Sequence, residues 1–178
     1  CSRADARWRV EPVTRPLCAL GSVASVPSIA LDPTIADDVV AFLDEHLADM
    51  RSVSPPESVH ALDVAALRAP GMRLWVLRGD DGAVLGTVAL APLETGHVEL
   101  KSMRVSDAAR GTGLGRRLLD HAIAEAVADG AIRMSLETGA EPYFAAARSL
   151  YLRAGFVVCP PFGSYVPDPN SVFLTRAL

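Results

Sequence analysis

Several large functional classes are excluded by what this sequence lacks. Its three cysteines, Cys1, Cys18 and Cys159, lie far apart and form no C-x-x-C pair. Neither a disulfide framework nor a zinc site is expected, no metal is called for, and a reducing cytoplasm fits best. There is one lysine, Lys101, and every other basic residue is arginine, a bias that reads as genome composition rather than function. Basic residues do not predominate: 17 stand against 21 acidic ones, a net charge of −4. Nucleic-acid binders carry a basic face, so no nucleic-acid partner is expected. No apolar run reaches the ~18 residues a membrane helix needs, so no membrane partner is expected either.

What remains is ordinary for a globular domain: 178 residues, half of them apolar and 21% charged, enough for one domain with a real core. Arg3, Arg7, Arg9 and Arg15 precede an apolar stretch from Leu17 to Leu31, a faint echo of a secretory signal. Ser22, Ser25, Pro27 and Ser28 interrupt that stretch, so residues 1–27 are read as a disordered extension and 28–178 as the domain.

Within the domain, strand and helix periods alternate. Ser28–Leu31 predicts a short strand, and Asp32-Pro33 opens a helix with Asp as N-cap and Pro at the first helical position. Val39, Phe42, Leu43, Leu47 and Met50 recur at helical spacing. Ser54-Pro55-Pro56-Glu57 reads as a capping box starting a second helix through Leu67. Arg73–Leu77 and Val84–Leu90 flank the turn Gly79–Gly82 as a hairpin. Val98–Val105 predicts a third strand of the hairpin sheet, with Val98, Leu100 and Ser102 on one face and Glu99, Lys101 and Met103 on the other. A helix begins at Gly113 and carries Leu114, Leu118, Leu119, Ile123 and Val127. Ile132–Leu136 is a buried-type strand, Tyr143–Ala154 a helix, and Phe156–Cys159 and Val172–Thr175 the final strands. The order β-α-α-β-β-β-α-β-α-β-β predicts an α/β fold with a mixed sheet covered by helices.

The chemistry concentrates in Arg110-Gly111-Thr112-Gly113-Leu114-Gly115, between a strand and a helix. Glycines there let backbone approach a ligand closely, first-turn amides have no intrahelical partner, and the helix dipole favours an anion. Arg110, Arg116 and Arg117 add cations. A P-loop would need Lys-Ser/Thr after the last glycine, where Arg116-Arg117 stands. A dinucleotide fingerprint would need glycine at position 116, with the turn directly at the strand end. Arg110-x-x-Gly113-x-Gly115 instead resembles the R/Q-x-x-G-x-G/A pattern of the GNAT acyltransferases. Ala147-x-x-Leu150-Tyr151-x-x-Ala154-Gly155-Phe156 resembles that family's second motif. Ser54–Asp63 and Tyr165–Phe173 also look like segments of a little-characterised bacterial group within it. The resemblance covers roughly residues 28–178.

The resemblance implies a GNAT fold with splayed central strands and acetyl-CoA as co-substrate. It places the pyrophosphate on Gly111, Thr112, Gly113, Leu114 and Gly115, with Arg110 and Arg116 beside it. The pantetheine arm would run along Met103, Arg104 and Val105, where a backbone amide would also serve the oxyanion. Glu99 would be the catalytic base, with His97 in reserve; the other reading of Glu99 is a strand carboxylate paired with Lys101 or Arg104. Tyr151 would protonate the departing thiolate, or else is a packed helix aromatic. Many relatives carry Asn where Phe144 stands, so that pantetheine contact is not expected. The acceptor, a small-molecule amine, would meet Glu57, Ser58, His60, Glu137, Thr138 and Tyr165. Of these, Glu57 also reads as a capping-box residue and His60 as a structural histidine. Glu57, Glu137 and Glu141 together would suit a cationic acceptor. The implied activity is N-acetyl transfer by a monomer or homodimer. A non-catalytic acyl-CoA-binding module and a protein N-acetyltransferase are the alternatives.

Overall fold

Alternating apolar residues in the middle of the chain build a sheet that both flanking sets of helices bury. The computed structural model describes residues 26–53, 55 and 64–178. Among these, the strands are β1 (Ser28–Leu31), β2 (Arg73–Arg78), β3 (Val84–Glu94), β4 (His97–Val105), β5 (Arg133–Gly139), β6 (Val157–Val158) and β7 (Ser171–Ala177). The helices are α1 (Asp37–Val53), α2 (Val64–Leu67), α3 (Leu114–Ala128) and α4 (Ala145–Arg153). The sheet runs in the order β1-β2-β3-β4-β5-β7-β6, and only β4 and β5 pair in parallel. It is the mixed α/β architecture expected from the element order.

The strand period of two divides the core between the two faces. On one face, Trp75, Leu77, Val88, Leu90, Leu100, Met134, Leu136 and Leu174 meet Leu118, Leu119, Ala122 and Ala126 of α3 and Tyr151 of α4. On the other face, Leu74, Val76 and Ala89 meet Val39 and Leu43 of α1 and Leu67 of α2.

The centre of the sheet opens between β4 and β5. Their register covers only His97–Glu99 against Arg133–Ser135. Past Gly139 lies no further β5, and the strand is held along its length by β7. Beyond Glu99, therefore, the β4 backbone has no partner strand on its β5 side. A bulge deepens the divergence: Ala89 pairs with Lys101 and Thr87 with Arg104, so three residues of β4 span what two of β3 span. Ser102 sits in the bulge at φ 49°, and the Thr87 hydroxyl donates to its carbonyl at 2.9 Å. Bulges of this kind re-aim the residues that follow them. Met103 consequently packs with Val98 on the α3–α4 face, not with Glu99 and Lys101 as strict alternation had it.

Four other expectations change. Helix α1 starts at Asp37 rather than at Asp32–Pro33. The Asp32 carboxylate instead accepts the amides of Thr34, Ile35 and Ala36 at 2.9–3.2 Å, folding a turn ahead of the helix. The expected helix at Tyr143 begins as a 3-10 turn, Pro142–Phe144, before α4 proper. The expected strand Phe156–Cys159 is the two residues of β6. A 3-10 turn at Asp107–Ala109, absent from the sequence reading, links β4 to the glycine turn. Apart from Pro55, the capping box at Ser54–Glu57 lies outside the described residues, as does most of the extension, residues 1–25.

After the bulge, Arg104 points to the α1 face with its side chain 4% exposed. Its guanidinium donates to the Phe42 carbonyl at 3.1 Å and to Asp49 at 2.7 Å, and stands 5.0 Å over the Phe42 ring. It ties α1 to β4. Arg104→Met should cost about 2 kcal/mol, the worth of hydrogen bonds to a charged group, read as a lower urea midpoint at unchanged slope.

Candidate functional site

Gly113 opens α3 in the left-handed region at φ 88°, a conformation that favours glycine. No side chain caps that end, so the first amides of the helix stay open toward a ligand. Gly115 has a different reason to be glycine. Its φ is ordinary, and a Cβ there would meet only Leu150 Cδ2, at 3.6 Å. Glycine inside a helix costs roughly 0.5–1 kcal/mol relative to Ala, and neither backbone nor neighbours require it. What its missing side chain leaves open is a cleft.

That cleft, about 500 Å³, lies between the splayed end of β4, the glycine turn and α4. Of the residues assigned to the cofactor, Met103, Arg104, Val105, Arg110, Gly111, Gly113, Gly115 and Arg116 line it. Two assigned residues do not. The Thr112 hydroxyl donates to the Ala109 carbonyl at 2.6 Å, and Leu114 packs against the core. Arg104 contributes to the wall, but its guanidinium is committed to α1. Arg110 reaches Asp107 at 2.8 Å and lies 5.8 Å over the Tyr143 ring; Arg116 is held by Asp120 at 2.8 Å. Both pairs are exposed, so they are worth little and can re-form on an anion. The amides, the open helix end, the cations and the glycine gap fit a pyrophosphate-bearing ligand. Among the described residues no cluster of three or more His, Cys, Asp or Glu could hold a metal.

A second, smaller cavity of about 90 Å³ opens where β4 leaves β5. Glu99, Glu137, Thr138 and Tyr165, all expected at a catalytic or acceptor site, line it together. Tyr151, Met103, Phe144, Ala147 and His46 line both spaces, which therefore adjoin. The Phe144 ring packs edge-on to Tyr143 at 4.9 Å and supplies an apolar wall.

Glu99 and Lys101 share a strand face two residues apart and form a buried ion pair at 2.8 Å, their side chains 8% and 11% exposed. The Lys101 ammonium also donates to the Tyr165 hydroxyl at 2.7 Å, and that hydroxyl donates to Glu99 at 2.6 Å. Both bonds to Glu99 fall on Oε1. Tyr165 is delivered by the loop 159–170, where Phe162 packs edge to face on Tyr165 and on Phe173 of β7, and Tyr165 lies tilted against Phe173. Burial, then the Glu99 charge, push the Tyr165 phenol far above its ordinary value. Glu137 accepts the Ser171 hydroxyl at 2.7 Å.

Tyr151 is 6% exposed, and among the described residues its hydroxyl has no hydrogen-bond partner. Burial first, and the Glu137 charge second, raise its phenol well above the usual value. It stays protonated, as a proton donor must. His97, the reserve base, is elsewhere. Its ring meets Ser135 Oγ at 2.8 Å and Glu94 at 3.3 Å, and it lines neither space. Glu141 also lines neither; its carbonyl and that of Gly139 hold Arg148 at 2.9 and 2.6 Å. Glu57, Ser58 and His60 lie outside the described residues.

Sequence reasoning missed His46 and Met50, which α1 brings to the small cavity. A histidine in the middle of an amphipathic helix carries no signal by itself. The available sign was position: Phe42, His46 and Met50 follow each other at intervals of four on one helical stripe.

The chain belongs to the Acetyltransferase (GNAT) family, whose model matches residues 39–156, and it is an acetyltransferase. It is 44% identical over 151 residues to a protein named Uncharacterized N-acetyltransferase YsnE from Bacillus subtilis, covering 84% of this chain and 99% of that protein. The crystal structure of a candidate acyl-CoA N-acyltransferase from Klebsiella pneumoniae superposes with a TM-score of 0.74 at 27% identity, over 85% of this chain and 97% of that one. A Bacillus subtilis acetyltransferase solved in complex with CoA shares the fold, with a TM-score of 0.61 at 18% identity over 86% of this chain and 99% of that one. No described helix is long and apolar enough to cross a membrane.

Proposed function

We propose that the chain transfers the acetyl group of acetyl-CoA to a primary amine of a small molecule, by direct attack in a ternary complex. One observation carries the reading: the large cleft with its open helix end and the small cavity with its carboxylates adjoin at Tyr151 and Met103. A thioester held in the first would face an amine held in the second.

In this reading the amides from Gly111 to Gly115 hold the pyrophosphate, with Arg110 and Arg116 closing on it. The unpaired β4 backbone beyond Glu99 takes the pantetheine arm as a strand would, and an amide there receives the carbonyl oxygen as it turns anionic. An amine with the ordinary lysine-like pKa of about 10 arrives as an ammonium. Glu99 holds it and takes its proton, directly or through a water. The nitrogen then attacks the carbonyl carbon. The C–N bond forms, the C–S bond breaks, and the leaving thiolate receives the proton of Tyr151. The second proton, which the nitrogen sheds as it becomes an amide, returns to the Tyr151 oxygen through water, and Glu99 releases the first to solvent. The cavity of about 90 Å³ favours an amino group on a slender chain over a folded protein surface.

A panel of amines, amino acids and polyamines, followed by release of free thiol, tests the chemistry; acetyl-CoA binding without release from any of them would favour a binding module. Calorimetry and thermal shift test the cofactor. Acetyl-CoA at ~100 times its dissociation constant should stabilise the fold by ~2.7 kcal/mol. Gly115→Val fills the cleft at little cost to the fold and should weaken acetyl-CoA on the order of 100-fold, the range of an overpacked contact.

A further inference from the structure

The mechanism above leaves one polar side chain at the junction of the two spaces without a task. His46 lines both. Among the described residues neither of its ring nitrogens has a hydrogen-bond partner, and only Nδ1 is sealed from solvent. Nε2 is therefore the unsealed nitrogen, the one through which a residue lining both spaces can reach a ligand.

Which nitrogen carries the hydrogen follows from the neighbours. Arg104 donates to the Phe42 carbonyl and to Asp49, the residues four before and three after His46 on α1. Its guanidinium thus reaches the same helical stripe, near enough for its charge to act on the imidazole. Arg104 Nε is itself buried and without an acceptor. A sealed N–H without an acceptor is the costlier orphan. The sealing of Nδ1 puts the lone pair there and the hydrogen on Nε2.

We propose that His46 is a catalytic residue of the acyl transfer: as a neutral imidazole, its Nε2–H donates a hydrogen bond to the thioester carbonyl oxygen as that oxygen becomes anionic. The step balances without any proton leaving the histidine. The C–N bond forms as the carbonyl π electrons move onto oxygen, the donated hydrogen bond shortens, and the electrons return as the C–S bond breaks. The inference rests on the proposed function and adds to it a side-chain donor from α1 that lines the same spaces as β4.

The environment keeps the ring neutral. Burial first, and then the charge of Arg104, push His46 down to about 4, with Arg110 adding to the effect and Asp49 opposing it. Across the cavity stand the Glu99–Lys101 pair, Glu137 and the phenols of Tyr151 and Tyr165. An imidazole so depressed is a poor base and a lasting hydrogen-bond donor at neutral pH.

The test compares His46→Gln, which keeps a side-chain N–H, with His46→Phe, which has none. Each is assayed with an amine that the wild type acetylates. His46→Phe should lower kcat on the order of 100-fold, with the acetyl-CoA dissociation constant within about twofold. His46→Gln should recover most of the rate. Nitrogen-15 spectra of the wild type, with the His46 signals identified by their loss in His46→Gln, should show a neutral ring protonated on Nε2 from pH 8 to pH 5. Equal kcat in wild type and His46→Phe overturns the proposal, as does a ring that titrates between pH 6 and 8 or carries its hydrogen on Nδ1. A wild type that neither binds acetyl-CoA nor releases thiol overturns the proposed function itself, and this inference with it.

Discussion

Tyr151→Phe lowers kcat on the order of 100-fold or more, the range for loss of a general acid, and leaves the acetyl-CoA dissociation constant nearly unchanged. The substitution removes one oxygen from a side chain that α4 packs against Phe156 at 6.0 Å between ring centroids. The ring and its packing remain, so stability changes little. What disappears is a hydroxyl without a hydrogen-bond partner among the described residues, on a side chain that lines both the cleft and the small cavity. The thiolate that leaves then has only water as an acid. Because burial and Glu137 raise the phenol, wild-type kcat should not decline on the alkaline side up to about pH 10 through loss of this proton. Stability has the opposite pH signature. Tyr151 and Tyr165 both keep their protons above the unfolded value of 10.0, so the unfolded chain ionises first and stability falls as pH rises through 10. A pH series of urea melts on the wild type and on Tyr151→Phe checks this: the variant should lose less stability between pH 9 and 11. A variant with wild-type kcat would reduce Tyr151 to a packed aromatic.

The parts of this architecture that local sequence dictates could be read in advance. Helix α3 announces itself through Leu114, Leu118, Leu119 and Ile123 at helical spacing behind a glycine turn, and the turn's anion chemistry follows from unpaired amides. The β2–β3 hairpin is set by its turn and its alternation. Tertiary contacts decide the rest. No glycine or proline marks the bulge at Ser102, whose hydrogen bond comes from Thr87 on the neighbouring strand. The bulge nevertheless decides which face Met103 and Arg104 take. Asp32 followed by Pro33 has the chemistry of a helix start, yet its carboxylate closes a turn five residues before the helix begins. Spacing placed Glu99 and Lys101 on one face, which allowed a base or an ion pair. Only the arrival of Tyr165, 66 residues away in sequence, shows how that pair is held. His46 was invisible for a related reason: its role depends on Arg104, which reaches α1 only because the bulge turned it there.

Glu99→Gln separates those two lives of the carboxylate. Turnover should fall on the order of 100-fold, because an amide neither holds an ammonium by charge nor accepts its proton. Stability should fall as well, by about 3 kcal/mol, since the buried Lys101 ammonium loses its counter-charge. A drop in activity alone would therefore be ambiguous. The double variant Glu99→Gln/Lys101→Met resolves it. With the uncompensated ammonium removed, most of the lost stability should return, as it does when a buried pair is replaced by apolar groups of similar volume. Turnover should not return, because the amine still finds no carboxylate. Lys101→Met alone supplies the third corner: it strips a donor from Glu99 Oε1 but leaves the Tyr165 hydroxyl bond at 2.6 Å, so the carboxylate stays in place. If the double variant regains both stability and rate, Glu99 is a structural partner of the lysine and the proton of the amine leaves by another route. If stability returns and rate does not, the carboxylate acts on the amine, and the ion pair with Lys101 and Tyr165 is what keeps it aimed.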